Sequence, residues 1–271
     1  MSRTKYHESE KEKSRIKFLG TQHEHKQYGK YMLVEYINNQ KVRIIFERTG
    51  YELTTSLQAV RNKVVQDPLQ PSLYGVAILG LPLKSYPTKL TKEAYRSYVS
   101  MIERVYVRKF NTYIDCSVRE DWLVFENYKA FFCEDSWRQD GWQLDKDLLV
   151  YGNRIYSKDT CVFLPPEINI TMTTYREQRT EASHNLPPGV SYLSRGKKRY
   201  KIHKIAACMD PPVKTSEFFN DPKEAYREYK KFRESVWKYL ADKWEGKIDP
   251  RATKALRERE FLKGEYDEWL R

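Results

Sequence analysis

Alternation of apolar and polar positions marks the first regular part of the chain. Three short runs rich in β-branched and aromatic residues, separated by turn-forming residues, occupy Tyr31–Ile37, Val42–Phe46 and Tyr51–Thr55. They predict a three-stranded meander. Residues 1–17 lack this pattern and are rich in charge, so we interpret them as a basic arm in front of an N-terminal β module over residues 18–86.

Helical spacing replaces alternation from about Pro87 onward. With Thr91 as the predicted N-cap, apolar residues recur every three or four positions as far as Tyr106. A second helix is predicted from about Arg119, with aromatic residues along one stripe. Both stripes are typical of helices that pack against a core.

The next segment predicts a unit of strand, turn, strand and helix. Two runs with strand character, Trp142–Leu149 and Cys161–Leu164, enclose a turn at 151–153, and a Pro-Pro pair then opens a short helix. We assign these elements and the two preceding helices to a core domain over residues 87–180.

The last block, residues 186–245, predicts a three-stranded sheet with one helix packed across it. Strand patterns occupy three ranges: 190–193, 200–206 and 213–218. Asp221 and Pro222 are typical of the N-cap and first position of the helix. A polar linker is predicted before this block at 177–185, and a charged tail with a loosely attached helix after it at 246–271. The predicted fold class is therefore α+β, built from modules.

Positive charge is concentrated in this last block. Lys and Arg number 49 against 37 Asp and Glu, a formal net charge of +12, which favours a polyanionic partner. Half of that excess is a run without acids: Arg195, Lys197, Lys198, Arg199, Lys201 and Lys204. We expect this cluster and His203 to contact nucleic acid.

Strand alternation divides the cluster between two faces. Arg199, Lys201 and His203 fall on one face, which is free to meet DNA. Lys204 falls on the other face with Ile202, toward the predicted helix.

Cysteine spacing and hydropathy point away from several other classes of protein. The four cysteines lie far apart, without the Cys-x-x-Cys pair of a zinc knuckle and without the density of a disulfide framework. No stretch approaches the roughly 20 apolar residues of a membrane-spanning helix. We therefore expect a cytoplasmic protein with no membrane partner.

Three segments of the last block suggest a family of DNA-binding domains. They lie at 189–192, 200–202 and 217–229, and the third reads Glu-Phe-Phe-Asn-Asp-Pro-Lys-Glu-Ala-Tyr-Arg-Glu-Tyr. In this order they resemble the plant ethylene-response-factor DNA-binding domain, although two prolines between Met209 and Val213 replace that family's Gly-Lys hairpin. The resemblance implies a sheet that lies in the major groove of double-stranded DNA and reaches bases and phosphates with basic and aromatic side chains.

The middle block carries Asp145 on a strand, Asn153 on a loop and Asn169 on a helix. This order resembles the His-Asn-His endonucleases of phages and mobile introns. Residues 18–245 as a whole resemble phage proteins that join such a core to an ethylene-response-factor-like module. The resemblance implies that Asp145 and Asn169 ligate one magnesium ion, that Asn153 braces the loop, and that the protein acts on DNA in the host cytoplasm.

Lys146 occupies the place where the endonuclease family has its water-activating histidine. An ammonium group has three donors and no acceptor, and its reference pKa is about 10.4. The flanking carboxylates favour its charged form further. Lys146 is therefore a poor general base, and Asp147, the other candidate catalytic residue, is a weak one because an ordinary carboxyl pKa is about 4.

The sequence leaves three functions open. The leading hypothesis is a phage-type protein that binds double-stranded DNA and retains a degenerate His-Asn-His core. The alternative is a metal-dependent nicking or homing endonuclease with Asp145 and Asn169 on magnesium. The third is a non-enzymatic interaction protein that docks on a host or virion nucleoprotein assembly.

Overall fold

The computed structural model of this 271-residue chain describes residues 12–13, 15–80, 85–107, 113–173, 186–197, 199–262 and 266. The chain is mixed α+β and divides into two compact units, residues 1–134 and 135–271. Lys198, most of the basic arm and the linker predicted at 177–185 lie outside the described residues.

The first unit begins with a four-stranded antiparallel sheet in the order β1-β2-β3-β4. Its strands are β1 (Gln22–His25), β2 (Gly29–Asn38), β3 (Lys41–Phe46) and β4 (Glu52–Thr55). The predicted meander is confirmed, with β1 as an additional strand. The sequence of β1 is polar throughout, and it joins the sheet through backbone pairing, with His23 opposite Tyr31. One face of the sheet packs on the short helix α1 (Leu57–Arg61) and buries Leu33, Ile44 and Phe46 completely.

Helices complete this unit. They are α2 (Lys89–Tyr106), a 3-10 turn at Glu120–Leu123 and α3 (Phe125–Glu134), with a two-residue strand, β5 (Ser117–Val118), between the helices. Helix α2 starts two residues before Thr91 because Thr88 is the N-cap, and its Oγ1 accepts a hydrogen bond from the Thr91 N–H at 3.1 Å. The helix predicted from Arg119 is interrupted at Val124, whose backbone is extended and pairs with Ile78.

The second unit starts with the predicted strand, turn, strand and helix. The elements are β6 (Gln143–Asp145), β7 (Ile155–Tyr156), β8 (Val162–Leu164) and α4 (Pro166–Thr173). Strand β6 pairs antiparallel with β8, with Asp145 opposite Val162. It is shorter than the expected 142–149 because the chain turns at Asp145, whose carboxylate accepts hydrogen bonds from the next backbone N–H groups.

The predicted C-terminal sheet and its helix are confirmed. The elements are β9 (Val190–Tyr192), β10 (Tyr200–Ala206), β11 (Val213–Phe219) and α5 (Pro222–Lys243). The sheet is antiparallel in the order β11-β10-β9. Ile202 and Ala206 on its inner face pack with Ala225, Val236 and Leu240 of α5 in one buried cluster.

The tail departs from the expectation of a loosely attached helix. Helix α6 (Pro250–Glu258) belongs to the same hydrophobic cluster as the sheet, and Ile248, Ala252 and Leu256 are completely buried. The many charges of this segment hide the apolar positions 252 and 256, which share one side of the helix. None of the helices among the described residues combines the length and apolar character needed to cross a bilayer.

Candidate nucleic-acid interface

The strand register of the C-terminal sheet determines which side chains face away from α5. In β10 they are Lys201, His203 and Ile205, and their direct partners in β11 are Phe218, Ser216 and Lys214. Ser191 of β9 lies opposite Lys201. We call this the outer face: Ser191, Lys201, His203, Ile205, Lys214, Ser216 and Phe218.

Cations, polar groups and apolar groups alternate on the outer face. Lys201 Nζ lies 5.5 Å from the centre of the Phe218 ring, a distance typical of a cation–π contact. Ser216 Oγ and His203 Nδ1 lie 3.1 Å apart. Ile205 is 56% exposed and Phe218 is 44% exposed, so the face offers solvent both charge and apolar surface.

The loop between β9 and β10 adds exposed cations to one end of this face. Leu193 N donates to Arg199 O at 2.7 Å, and Arg199 Nη1 donates to Ser194 O at 2.9 Å, which close the loop. Arg195 and Lys197 at its tip are exposed. The loop and the last residues of β11 border an open groove of about 670 Å³.

Lys204 lies on the opposite face from the rest of the predicted cluster. Its Nζ is 2.6 Å from Glu217 Oε1, and Glu217 is the one acidic residue within the described parts of the three strands and the β9–β10 loop. The register therefore separates the acid, paired with Lys204, from the outer face. Lys198, the remaining member of the predicted set, lies outside the described residues.

Asp145 sits in a tight turn at the end of β6. Its Oδ1 accepts hydrogen bonds from the backbone N–H groups of Asp147 at 3.0 Å and Leu148 at 2.7 Å. Burial, reinforced by the negative charge of Asp147, raises the pKa of the Asp145 carboxyl to about 6, although those two N–H groups and Arg259 act in the opposite direction.

Lys146 and Asn153 bind each other's backbone across the following loop. Lys146 is 7% exposed, and its Nζ donates to Asp147 Oδ2 at 3.0 Å and to Asn153 O at 3.4 Å. Asn153 Nδ2 donates to the carbonyl oxygens of Lys146 at 2.6 Å and Ile155 at 2.8 Å. The Lys146 ammonium therefore donates to two oxygens of the loop, and the side chain of Asn153 closes that loop.

Asn169 reaches β6 from helix α4. Its Nδ2 donates to Gln143 Oε1 at 2.5 Å, and Gln143 precedes Asp145 by two positions on the same strand. The two side chains therefore leave the same face of β6. The structure thus brings Asp145, Lys146, Asp147 and Asn153 together and places Asn169 at the other end of the strand.

Arg259, which follows α6, is a member of this site that the sequence did not indicate. Its Nη1 donates to Asp147 O at 3.3 Å, and the guanidinium lies 5.5 Å from the centre of the Tyr151 ring. Burial lowers the pKa of Arg259, partly offset by Asp147 and Asp145. The contact joins residues 112 positions apart in the chain, so local pattern holds no signal for it.

Comparisons with known proteins give this chain no family. No protein-family model, curated protein or solved structure matches it. The two resemblances noted in the sequence therefore stay predictions, and the function has to be inferred from the chain's own residues.

The donor set around Asp145 does not fit a magnesium ion. Mg²⁺ requires near-octahedral oxygen ligands, but Asp145 Oδ1 already accepts two N–H groups. Lys146 and Arg259 supply two positive charges beside the two carboxylates, where a bound ion would add like charge. Within the described ranges, no group of three His, Cys, Asp or Glu side chains is placed to hold a metal.

Proposed function

We propose that this chain binds double-stranded DNA through the outer face of its C-terminal sheet and the β9–β10 loop. The observation that carries the proposal is a charge separation. Lys201, Lys214 and the loop cations lie on the exposed side of the sheet, whereas Glu217 and Lys204 pair on the side that faces α5. Glu217 also lines the groove beside the loop, but it is paired with Lys204, so the surface carries an excess of cations suited to a row of phosphates.

The outer face also offers groups that suit base edges. A β-ribbon fits the major groove, where thymine methyl groups and hydrogen-bonding base atoms are accessible. Ile205 and Phe218 provide exposed apolar contacts, and His203 and Ser216 provide adjacent hydrogen-bonding groups. In this arrangement the loop cations position the protein on phosphates, and the centre of the sheet contacts bases.

In the same proposal, the Asp145 turn is a structural remnant of an endonuclease-like core. Lys146 Nζ donates to Asp147 Oδ2 and to Asn153 O, and an ammonium group, which has no acceptor, cannot take a proton from water. Its role is to stabilise the loop at 146–155. The endonuclease resemblance then describes ancestry of the core and not its present activity.

The DNA-binding proposal predicts that affinity for duplex DNA depends strongly on salt concentration, and that this dependence weakens when the loop cations are replaced. Replacing Arg195 and Lys197 together by Ala is expected to weaken binding to duplex DNA and make the log-log salt slope shallower by about 2, since each phosphate contact contributes about 0.9. A band-shift titration over salt concentration measures both quantities. The matched control replaces Lys223 and Lys238, two exposed lysines on α5, with the same loss of charge and an expected slope unchanged from wild type.

Two results would contradict this proposal. One is wild-type affinity that is indifferent to salt. The other is an equal loss of affinity in the α5 double variant, which would trace binding to net charge and not to the outer face.

A further inference from the structure

A second cavity of the C-terminal unit lies where helix α4, the end of β10 and helix α5 meet. Its volume is about 340 Å³, within the range of sites for small molecules. The walls of the cavity are largely apolar, and one cationic side chain, that of Arg233, lines the cavity. The lining residues used in the argument are Ile170, Ala206, Val236, Cys208 and Arg233.

Arg233 is buried in this lining, and no residue in the described part of the chain gives it an anionic partner. It is 7% exposed, and its Nη2 donates to Thr171 O at 2.5 Å while its buried Nε has no hydrogen-bond partner. The rest of the guanidinium environment is aromatic, with the ring centres of Trp237 and Phe261 at 5.6 and 5.8 Å. Among the described residues, none forms an ion pair with it.

The acid that lines the cavity is already engaged elsewhere. Glu167 accepts from Lys243 Nζ at 2.5 Å through Oε1 and from Trp244 Nε1 at 2.8 Å through Oε2. Its charge is therefore balanced by Lys243, and the charge of Arg233 is not balanced by Glu167. A buried charge without a partner is unfavourable, so the cavity is complementary to an anion.

We propose that this cavity binds a small monocarboxylic acid with an apolar body. The ligand carboxylate pairs with the Arg233 guanidinium, whose planar donors match a carboxylate. The hydrocarbon portion of the ligand packs on Ile170, Ala206 and Val236. A single guanidinium balances a single negative charge, and Glu167 at the wall disfavours a second, which selects a monoanion over a phosphate dianion.

The test compares 3-phenylpropanoate with its neutral isostere 3-phenylpropanamide on the full chain by titration calorimetry. The acid is expected to bind at least about tenfold more tightly than the amide, since only the acid forms a charge-assisted pair. Arg233→Met should abolish that preference. Lys238→Met, which removes an exposed lysine from the same helix, should keep it.

A second readout uses the thiol of Cys208, which lines the cavity and is half-buried. Bound 3-phenylpropanoate should slow its reaction with a thiol reagent and leave the reaction of Cys133, half-buried in the other unit, unchanged. These wild-type measurements decide the question even when Arg233→Met does not fold.

Three outcomes would overturn the proposal. They are equal affinity of wild type for acid and amide, an acid preference that survives in a folded Arg233→Met variant, and absence of binding by both 3-phenylpropanoate and octanoate at millimolar concentration. The third outcome also covers a cavity that binds the carboxylate of a peptide but neither of these two small acids. None of these outcomes bears on DNA binding, which the salt titration tests separately.

Discussion

At the Asp145 turn, the surroundings of single atoms decide which chemistry is available. The same sequence that resembles an endonuclease places the Asp145 carboxylate under two backbone N–H groups and the Lys146 ammonium against Asp147. From residue types alone, Asp145 could either bind a metal or support the turn. The hydrogen bonds favour structural support, because they engage Asp145 Oδ1 and the Lys146 ammonium within the turn.

Asp145 is expected to make stability depend on pH. Its pKa of about 6 in the folded state lies above the unfolded value of about 3.9. At pH values between these two, the folded protein binds more protons than the unfolded chain. The free energy of unfolding therefore falls as the pH rises through this range. Relative to Asp145→Asn, wild type should lose on the order of 2 kcal/mol of unfolding free energy between about pH 4 and pH 7. Urea unfolding of both proteins across this range measures the difference. Because the other carboxyls are common to both proteins, a constant difference would show that the pKa of Asp145 is not raised.

At the scale of elements, one close approach fixes how β9 meets α5. Gly189, just before β9, has φ +85°, and a Cβ placed there would lie 2.2 Å from the Tyr229 ring on α5. Only glycine accommodates both the left-handed backbone and the neighbouring ring. The Gly-Val pair in the sequence therefore has a packing reason that is independent of any family.

Replacing Gly189 by Ala should destabilise the C-terminal unit by about 3 kcal/mol, the sum of about 1 kcal/mol for a left-handed alanine and about 2 kcal/mol for overpacking. Gly246→Ala is the matched control, because Gly246 has φ +70° with no atom within 4 Å of the added Cβ. Its expected cost is about 1 kcal/mol. Chemical denaturation of the two variants gives both values, and equal losses would show that Tyr229 moves away without penalty.

Much of the secondary structure followed from local pattern, and its errors have local causes. Strands β2 to β4, strands β9 to β11 and helix α5 were predicted because β-branched alternation, an Asp cap and a proline at the first helical position are short-range signals. Strand β1 was missed because a polar edge strand is held by backbone pairing with β2. Helix α6 was misjudged because its burial depends on a core assembled from distant parts of the chain.

For the whole molecule, the question is whether the proposed DNA-binding surface is joined to a part of the chain that could cut DNA. The predicted core domain at 87–180 contains the boundary between the two compact units at residue 134, and the Asp145 turn lies in the second unit together with the C-terminal sheet. At the Asp145 turn two carboxylates, Asp145 and Asp147, lie beside two cations, Lys146 and Arg259. We therefore expect binding without cleavage.

Wild-type protein is expected to leave supercoiled plasmid uncut in Mg²⁺ or Mn²⁺, under conditions where a band shift shows the plasmid bound. The physical reason is that Lys146 cannot act as a base and that Asp145 lacks a free oxygen pair for a metal. Agarose electrophoresis of the plasmid measures nicking, with Asp145→Asn as the control variant. Nicking by wild type that disappears in Asp145→Asn would establish the endonuclease alternative.

The sequence by itself determined most of the strands and helices and the basic cluster, since these depend on residues close together in the chain. The tertiary structure alone decided three other matters. The register paired Lys204 with Glu217 and added Lys214 and Phe218 to the outer face. Arg259 joined the Asp145 turn. Arg233 was buried at a cavity whose one lining carboxylate, Glu167, is bound to Lys243. Each of these requires contact between residues of separate elements, and a local sequence pattern does not predict contacts between residues that are far apart in the chain.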